Sequence, residues 1–509
     1  MTEQNTKTLR IMGVLVCVYL WLQFFGGPLI LHNGYFDITE IKTVWFVFFS
    51  VLFLLGRLGW VIQTSERLDL SRFSPDPAEI AAAALCVTAL LSSAASGFFW
   101  SSIAGFRGRW QGGAMLFLYA ALFAAFRKII IRRRDLLLPL SAGLAVVGVL
   151  CVLDHFGLDP LGLQAGLRDA DKGRFISTLG NINFAGAYLC LAFPPVLLTL
   201  LQCKKKLHTA YYCVLLVIGV CASAAIRSES VFLGLGFALM LTPLLLRRRE
   251  ELLRFSILLP LMGLVFYAYA HLAGRAGAYL SSLTKILSHP VFCGFLLLTG
   301  ALFFLCGRKA SSVERFRKIY FRIVCAAAAA GVLALLWLNT LGKAVPLGSL
   351  ETWLRFSDEW GTDRVKVWKY CLSLYGEFPL LHKLLGGGCG ILARMDMYRR
   401  IFPDAVLDAA HCEYLQILLN WGILGLGAYV VWTVSVIRKG VHSSDPLARI
   451  MAAGLAGYAF QALVNIAQAP GVTLFFLMLA LEHALTRSGQ GKTEMLAKKP
   501  PQPKEKMKK

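Results

Sequence analysis

Before one long apolar stretch the chain reads Asp408-Ala-Ala-His411-Cys412-Glu413-Tyr414. If Asp408 caps the helix that follows, His411 falls in its first turn, where the positive end of the helix dipole disfavours an imidazolium. A neutral imidazole accepts a proton from a hydroxyl, which is the work of a general base. The plainer reading of such a residue is a local hydrogen bond at an interface. Arginines stand in comparably apolar company. Ile226-Arg227-Ser228-Glu229-Ser230 fills a whole turn between two apolar runs, Gly173-Arg174 precedes another run, and Gly108-Arg109-Trp110-Gln111-Gly112 a third. A guanidinium in so short an apolar turn is costly to desolvate and calls for a partner. Glu229 is close to Arg227, but residues two apart do not face each other on a helix. The planar guanidinium fork suits phosphate oxygens, so several arginines around one cavity would hold a diphosphate. Taken singly, each arginine reads as structural; Arg227, Arg364 and Arg174 with His411 read as a site.

These residues are spaced along a chain built to cross a membrane many times. Hydrophobic residues make up 57% of 509 positions and charged residues 16%, against about 25% charged in ordinary soluble domains. The pattern predicts fourteen helical spans, at 11–31, 43–63, 78–97, 112–126, 136–153, 184–202, 210–226, 230–246, 255–272, 291–306, 320–341, 414–436, 449–467 and 472–486. Each satisfies its own backbone hydrogen bonds in lipid. A membrane β-barrel is excluded, because the runs lack period-2 alternation. No small-residue cleavage site follows the first run, which reads as a retained helix. The expected class is therefore an all-α polytopic membrane protein with a membrane domain over 1–487. A loop at 342–413 is inserted between spans, and 488–509 forms a basic, disordered tail.

Lysine and arginine crowd alternate connections: Arg127, Lys128 and Arg132–Arg134, then Lys204–Lys206, Arg247–Arg249, Arg308, Lys309, Arg315, Arg317, Lys318 and the tail. That asymmetry predicts both termini inside. The net charge of +23 is spread over loops that meet anionic lipid and forms no single nucleic-acid face. Nucleic acid is thus no expected partner, while membrane lipids are. Most of the thirteen cysteines fall within spans, as small apolar residues do. Cys371, Cys389 and Cys412 share the large loop and leave a bridge among them open. No Cys-x-x-Cys pair, P-loop or dinucleotide fingerprint occurs, so no metal or nucleotide cofactor is expected.

The loop at 342–413 is long enough to imply function. Thr362 or Asp363 can cap a helix in which Val365, Trp368, Leu372 and Tyr375 recur at helical spacing, interleaved with Arg364, Lys366 and Lys369. This predicts an amphipathic helix lying on the outer membrane surface. Gly386–Gly388 and Gly390 follow as a tight turn.

In four places, in order, the chain resembles the O-antigen ligase and polymerase family of bacterial envelope glycosyltransferases. The first is Gly173-Arg174 leading to Ser177-Thr-Leu-Gly180-Asn181-Ile-Asn183-Phe184, similar to the family's arginine followed by Gly-Asn-x-Asn. The second is Arg227-Ser228, with Ile226 where a serine is usual. The third is Arg364 with Trp368, then Pro379-Leu380-Leu381 and Gly386-Gly-Gly-Cys-Gly390. The fourth is Ala410-His411-Cys412-Glu413-Tyr414-Leu415, with Cys412 for the usual asparagine, followed by Trp421-Gly422-Ile-Leu-Gly425. The resemblance covers about residues 100–440. It implies a GT-C-like fold in a bacterial plasma membrane, with about fourteen spans and one large extracytoplasmic loop. The implied activity is metal-independent, inverting transfer of a glycan from undecaprenyl diphosphate to a hydroxyl of a glycan, lipid or protein acceptor. Arg227 and Arg364 would then hold the leaving diphosphate, with Arg174 third and Arg109 fourth, and His411 would be the general base. A transporter or flippase of lipid-linked sugars is the alternative, and an envelope scaffold a third. A transporter would place its polar groups near the membrane midplane.

Overall fold

A computed structural model of the protein describes residues 3–64, 75–309, 312–395 and 409–497. Twelve of its helices are long and apolar enough to cross a membrane, and the chain is an all-α, multi-pass membrane protein. In chain order the apolar helices are α1 Ile11–Leu29, α2 Ile38–Gln63, α3 Pro77–Ala95, α4 Gly113–Phe126, α5 Arg133–His155, α6 Ile182–Gln202 and α7 Lys206–Ala225. Then come α8 Glu229–Leu245, α9 Arg249–Arg275, α10 Pro290–Lys309, α11 Val313–Asn339, α12 Glu413–His442, α13 Pro446–Val464 and α14 Ala469–Arg487. Every sequence span corresponds to one of these helices, although α4 and α8 are shorter than the other twelve. Helices α9 and α11 begin before their apolar runs because long basic side chains carry the helix past the hydrocarbon edge. The backbone stays helical to Ala497, past the boundary read at 487; 498–509 lies outside the described residues. The described strands are one antiparallel pair, Phe175–Ile176 with Gly180–Asn181.

Side chains tie the helix ends into two opposite faces. On one face Arg127 reaches Glu79 at 3.1 Å, Lys439 reaches Asp76 at 2.6 Å and Arg487 reaches Glu79 at 3.3 Å, joining the ends of α4, α12 and α14 to the start of α3. Arg247 donates to the Val441 carbonyl at 2.9 Å and Arg317 to that of Leu244 at 2.8 Å. On the other face Thr39 donates to the Gly108 carbonyl at 2.8 Å, and the Nζ of Lys42 donates to the carbonyls of Gly27, Pro28 and Ile30. Successive helices therefore alternate. The start of α1 and the end of α14 share the face where Lys and Arg are concentrated.

Helices α6 and α14 form the core: the apolar window of α14 is wholly buried and that of α6 is 94% buried. Small residues let their neighbours close in, since packing rather than hydrophobicity drives helix association in lipid. A Cβ on Gly454 of α13 would stand 2.3 Å from the Leu191 carbonyl of α6, and one on Gly234 of α8 would stand 2.6 Å from that of Gly457. At the other extreme, α11 has no buried residue.

Candidate functional site

Among the described residues, seven non-glycine residues hold a positive φ: Trp110, Asp159, Ser177, Arg227, Thr362, Asp363 and His411. Each such residue costs about 1–3 kcal/mol and persists only where its surroundings over-determine it, most often at functional sites. All but Asp159 fall in the segments singled out by their arginines and histidine. The strain is concentrated at the face opposite the basic one.

Two of those segments are hydrogen-bonded together. Asn181 caps α6 through its side chain, which accepts from the Asn183 amide at 2.9 Å. The hydroxyl of Ser228 donates to the side-chain oxygen of Asn183 at 2.7 Å, and Ser228 and Ser230 share a bond of 2.8 Å. Gln461 donates to Ser230 at 2.9 Å, and Asn465 donates to the Asn183 carbonyl at 3.1 Å. The Gly-Asn-x-Asn turn, the Arg-Ser turn and the end of α13 thus form one polar network, which positions Arg227.

Arg227 is half-buried with φ 61°, and its Nε finds no hydrogen-bond partner. Burial pushes its guanidinium below the ordinary value, while Tyr269 and Asp154 favour the charged form. Tyr269 is bound at 2.6 Å to Nδ1 of His155, whose Nε2 meets the Tyr279 carbonyl at 2.8 Å. Because a carbonyl only accepts, Nε2 carries the proton and Tyr269 donates to Nδ1. Arg174 stands apart: it is 71% exposed and faces Asp171 at 3.5 Å. Arg109 lies against the side-chain amide of Gln468.

The large loop contains the helix Trp360–Glu377, but its details differ from expectation. Thr362 and Asp363 do not cap it; with Gly361 they form a left-handed turn at φ 63–64° just before Arg364. Its buried residues are Val365, Val367, Tyr370, Cys371 and Leu374; of the expected stripe Val365 is buried, Trp368 and Tyr375 pack against the same core, and Leu372 is 55% exposed. The reason is packing. One face of this helix lies on protein, in a small core with Ile391, Leu392, Ala410, Leu415, Leu418 and Leu419. Cys371 and Cys412 share that core, and all thirteen cysteines are free.

The left-handed turn aims Arg364 at a cavity of about 840 Å³. Apolar side chains of five helices line its depth, among them Phe193, Val220, Phe232, Leu259 and Phe292. Arg364, Glu229 and Ser230 border it where α8 begins. Burial pushes the Arg364 guanidinium down, and Glu229 favours its charge. Arg364 donates to the Gly361 carbonyl, and its Nε has no partner. Arg227 and His411 are not among the residues lining this cavity.

His411 is half-buried at φ 51°, two residues before α12, whose N-cap is Cys412. It therefore precedes the first turn instead of lying in it, and Asp408 falls outside the described residues. Its neighbours Ala410 and Cys412 pack with Val367 and Cys371, so the loop carrying His411 is fixed against the helix carrying Arg364. Glu413 is fully engaged: it accepts from Tyr429 at 2.7 Å and from Tyr458 at 3.0 Å. It anchors the bundle and is no free base.

The glycine run has a further partner that the sequence did not reveal. Helix α12 breaks at Gly422, with φ 67° and ψ −174°, conformations open essentially to glycine alone. The break frees carbonyls of the preceding turn. Gly387 donates to the Leu419 carbonyl at 2.9 Å and Gly388 to that of Asn420 at 3.1 Å. The Gly-Gly-Gly-Cys-Gly and Trp-Gly segments are thus two halves of one joint.

Among the described residues, the one group spaced to hold a metal ion is Asp76, Glu79 and His483. It lies on the basic face, and Lys439, Arg127 and Arg487 already occupy its carboxylates. No protein-family model matches the chain, and no curated protein matches it.

Proposed function

We propose that this protein is a membrane glycosyltransferase of the O-antigen ligase and polymerase type, transferring a glycan from undecaprenyl diphosphate to an acceptor hydroxyl. One observation carries the reading: among the described residues, Arg364 is the one cation lining a cavity whose walls are mostly apolar, with Glu229 and Glu359 as its other charged groups. A long prenyl chain matches the apolar depth, and a diphosphate matches a half-buried guanidinium with an unpartnered Nε–H. The reaction is an in-line displacement with inversion. The acceptor oxygen bonds to the anomeric carbon as the bond to the diphosphate oxygen breaks, and the diphosphate leaves with the electron pair. Arg364 offsets the charge growing there from the cavity mouth, and Arg227 does so from outside the cavity lining. His411, whose neighbours Ala410 and Cys412 pack in the core that orients the Arg364 helix, accepts the hydroxyl proton. With the basic face toward the cytoplasm, the site faces the outer leaflet of a bacterial plasma membrane.

A transporter of lipid-linked sugars has less support, because the charged groups of the cavity stand at helix ends and in the loop, away from the midplane. The test is reconstitution with an undecaprenyl-diphosphate-linked glycan and candidate acceptors, with products read by mass spectrometry. A glycosylated acceptor and released undecaprenyl diphosphate are expected. Intact donor moved across the bilayer without a product would reject the reading in favour of transport.

A further inference from the structure

The mouth of the cavity carries groups that the transfer chemistry does not use. Opposite Arg364 stands Glu229, the first residue of α8, which is exposed to the cavity. The two influence each other electrostatically, yet no ion pair closes between them among the described contacts. Space is therefore left between an anion-binding guanidinium and an acceptor-only carboxylate. Two tryptophans, Trp353 and Trp360, border the same mouth. Trp360 is held in place by its Nε1 donating to the Trp353 carbonyl at 3.1 Å and by edge contact with Phe356 at 5.1 Å. Ser282, Thr352 and Ser357 add hydroxyls to the lining, and Glu359 adds a second carboxylate.

A carboxylate, fixed indole rings and small hydroxyls are the groups that recognise a pyranose. The carboxylate accepts hydrogen bonds from neighbouring sugar hydroxyls, and the apolar C–H face of the ring lies on an aromatic surface. We propose that Glu229, Trp353 and Trp360 form a subsite for the sugar attached directly to the carrier diphosphate. This rests on the diphosphate reading of Arg364, because Arg364 supplies the end of the ligand from which the sugar projects. Glu229 then reads the hydroxyl pattern of that sugar, and the carrier lipid contributes nothing to this choice. Charge-assisted hydrogen bonds give such a subsite discriminating power, since a sugar lacking the matching hydroxyl leaves the carboxylate desolvated and unpaired.

The experiment measures binding of the full-length protein in nanodiscs to three probes. They are bare undecaprenyl diphosphate and the same carrier bearing one glucose or one N-acetylglucosamine. Wild-type protein is expected to bind at least one sugar-bearing carrier about tenfold or more tightly than the bare one, the size of one charge-assisted hydrogen bond. Glu229→Gln, equal in size, should bind bare and sugar-bearing carriers alike, and its binding of the bare carrier also reports that it is folded. Trp353→Ala should lose part of the same preference. Wild-type protein that binds bare and sugar-bearing carriers equally overturns the subsite while leaving the diphosphate reading intact. A full tenfold preference retained in Glu229→Gln removes Glu229 from it. Failure of the wild type to bind any of the three carriers overturns the diphosphate reading and the subsite with it.

Discussion

Gly422 lies directly against Leu384: a Cβ on Gly422 would stand 2.2 Å from the Leu384 carbonyl oxygen. Gly386 is pressed just as closely on the other side, where a Cβ would meet the Asn420 carbonyl at 2.3 Å. The loop and the broken helix α12 therefore dock backbone to backbone, with no room for side chains. This joint holds the His411 loop and the Arg364 helix in one body.

Gly422→Ala should accordingly be among the most damaging small substitutions in the protein. It combines a backbone conformation alanine cannot adopt with a direct clash, and a loss of about 3 kcal/mol or more is expected. Gly427→Ala, five residues on in the same helix and with nothing near its Cβ position, should be neutral or stabilising by up to about 1 kcal/mol. Thermal unfolding of both variants in detergent checks the contrast. Equal melting temperatures would mean that the joint is not rigid.

Arg364→Lys keeps the charge but loses the fork. An ammonium is a point donor, so turnover should fall about tenfold to a hundredfold, the worth of one or two charge-assisted hydrogen bonds. Steady-state turnover with lipid-linked donor measures it. Near-normal turnover would reduce Arg364 to a structural arginine that only steadies the Gly361–Asp363 turn.

His411→Ala should lower turnover by about 10² to 10⁴, the usual size of a general-base effect. Donor binding should persist, because the diphosphate contacts lie elsewhere. Parallel turnover and binding assays separate the two. A folded variant that keeps more than about a tenth of wild-type turnover would exclude His411 as the base. Glu413 is then no substitute, since Tyr429 and Tyr458 occupy both its oxygens.

Sidedness is the fourth expectation. Reporters fused after Ala497 and inserted within 342–413 should signal from opposite sides of the membrane, with the C-terminal reporter cytoplasmic. Signals from one side would contradict the alternation of helix ends.

Treatment with a strong chelator should leave turnover unchanged, since the three-residue group at Asp76 is engaged by Lys439, Arg127 and Arg487. Loss of turnover restored by magnesium or manganese would require a metal-assisted step.

The helices were legible because apolar run length is a local property, and each of the fourteen runs is a helix. The site was legible only in its parts. An apolar turn flagged Arg227 and an amphipathic helix flagged Arg364, but which residues faced them depended on contacts far apart in sequence. Glu229 lines the same cavity as Arg364, across more than a hundred residues of chain, and the groups that favour the charge of Arg227 are Tyr269 and Asp154. On the loop helix Val365, Trp368 and Tyr375 of the expected stripe pack inward and Leu372 does not, for a related reason. Helical spacing shows that an apolar face exists, whereas Val367 and Cys371 are buried because α12 lies against them. Arg174 looked equivalent to Arg227 by its neighbours, yet it faces Asp171 in the open. No local signal separates the two.

The complete burial of α14 has a consequence for how the protein is made. Thirteen apolar helices precede it in the chain, yet it fills the centre against α2, α4, α6, α12 and α13. Until it is synthesised and inserted, the inward faces of those helices have only lipid or one another to cover them. Assembly of the bundle is therefore a late, concerted event and not a helix-by-helix accretion. A chain stalled before residue 469 would present an open groove, with Glu79 still held by Arg127 but lacking Arg487, to the membrane's quality-control proteases.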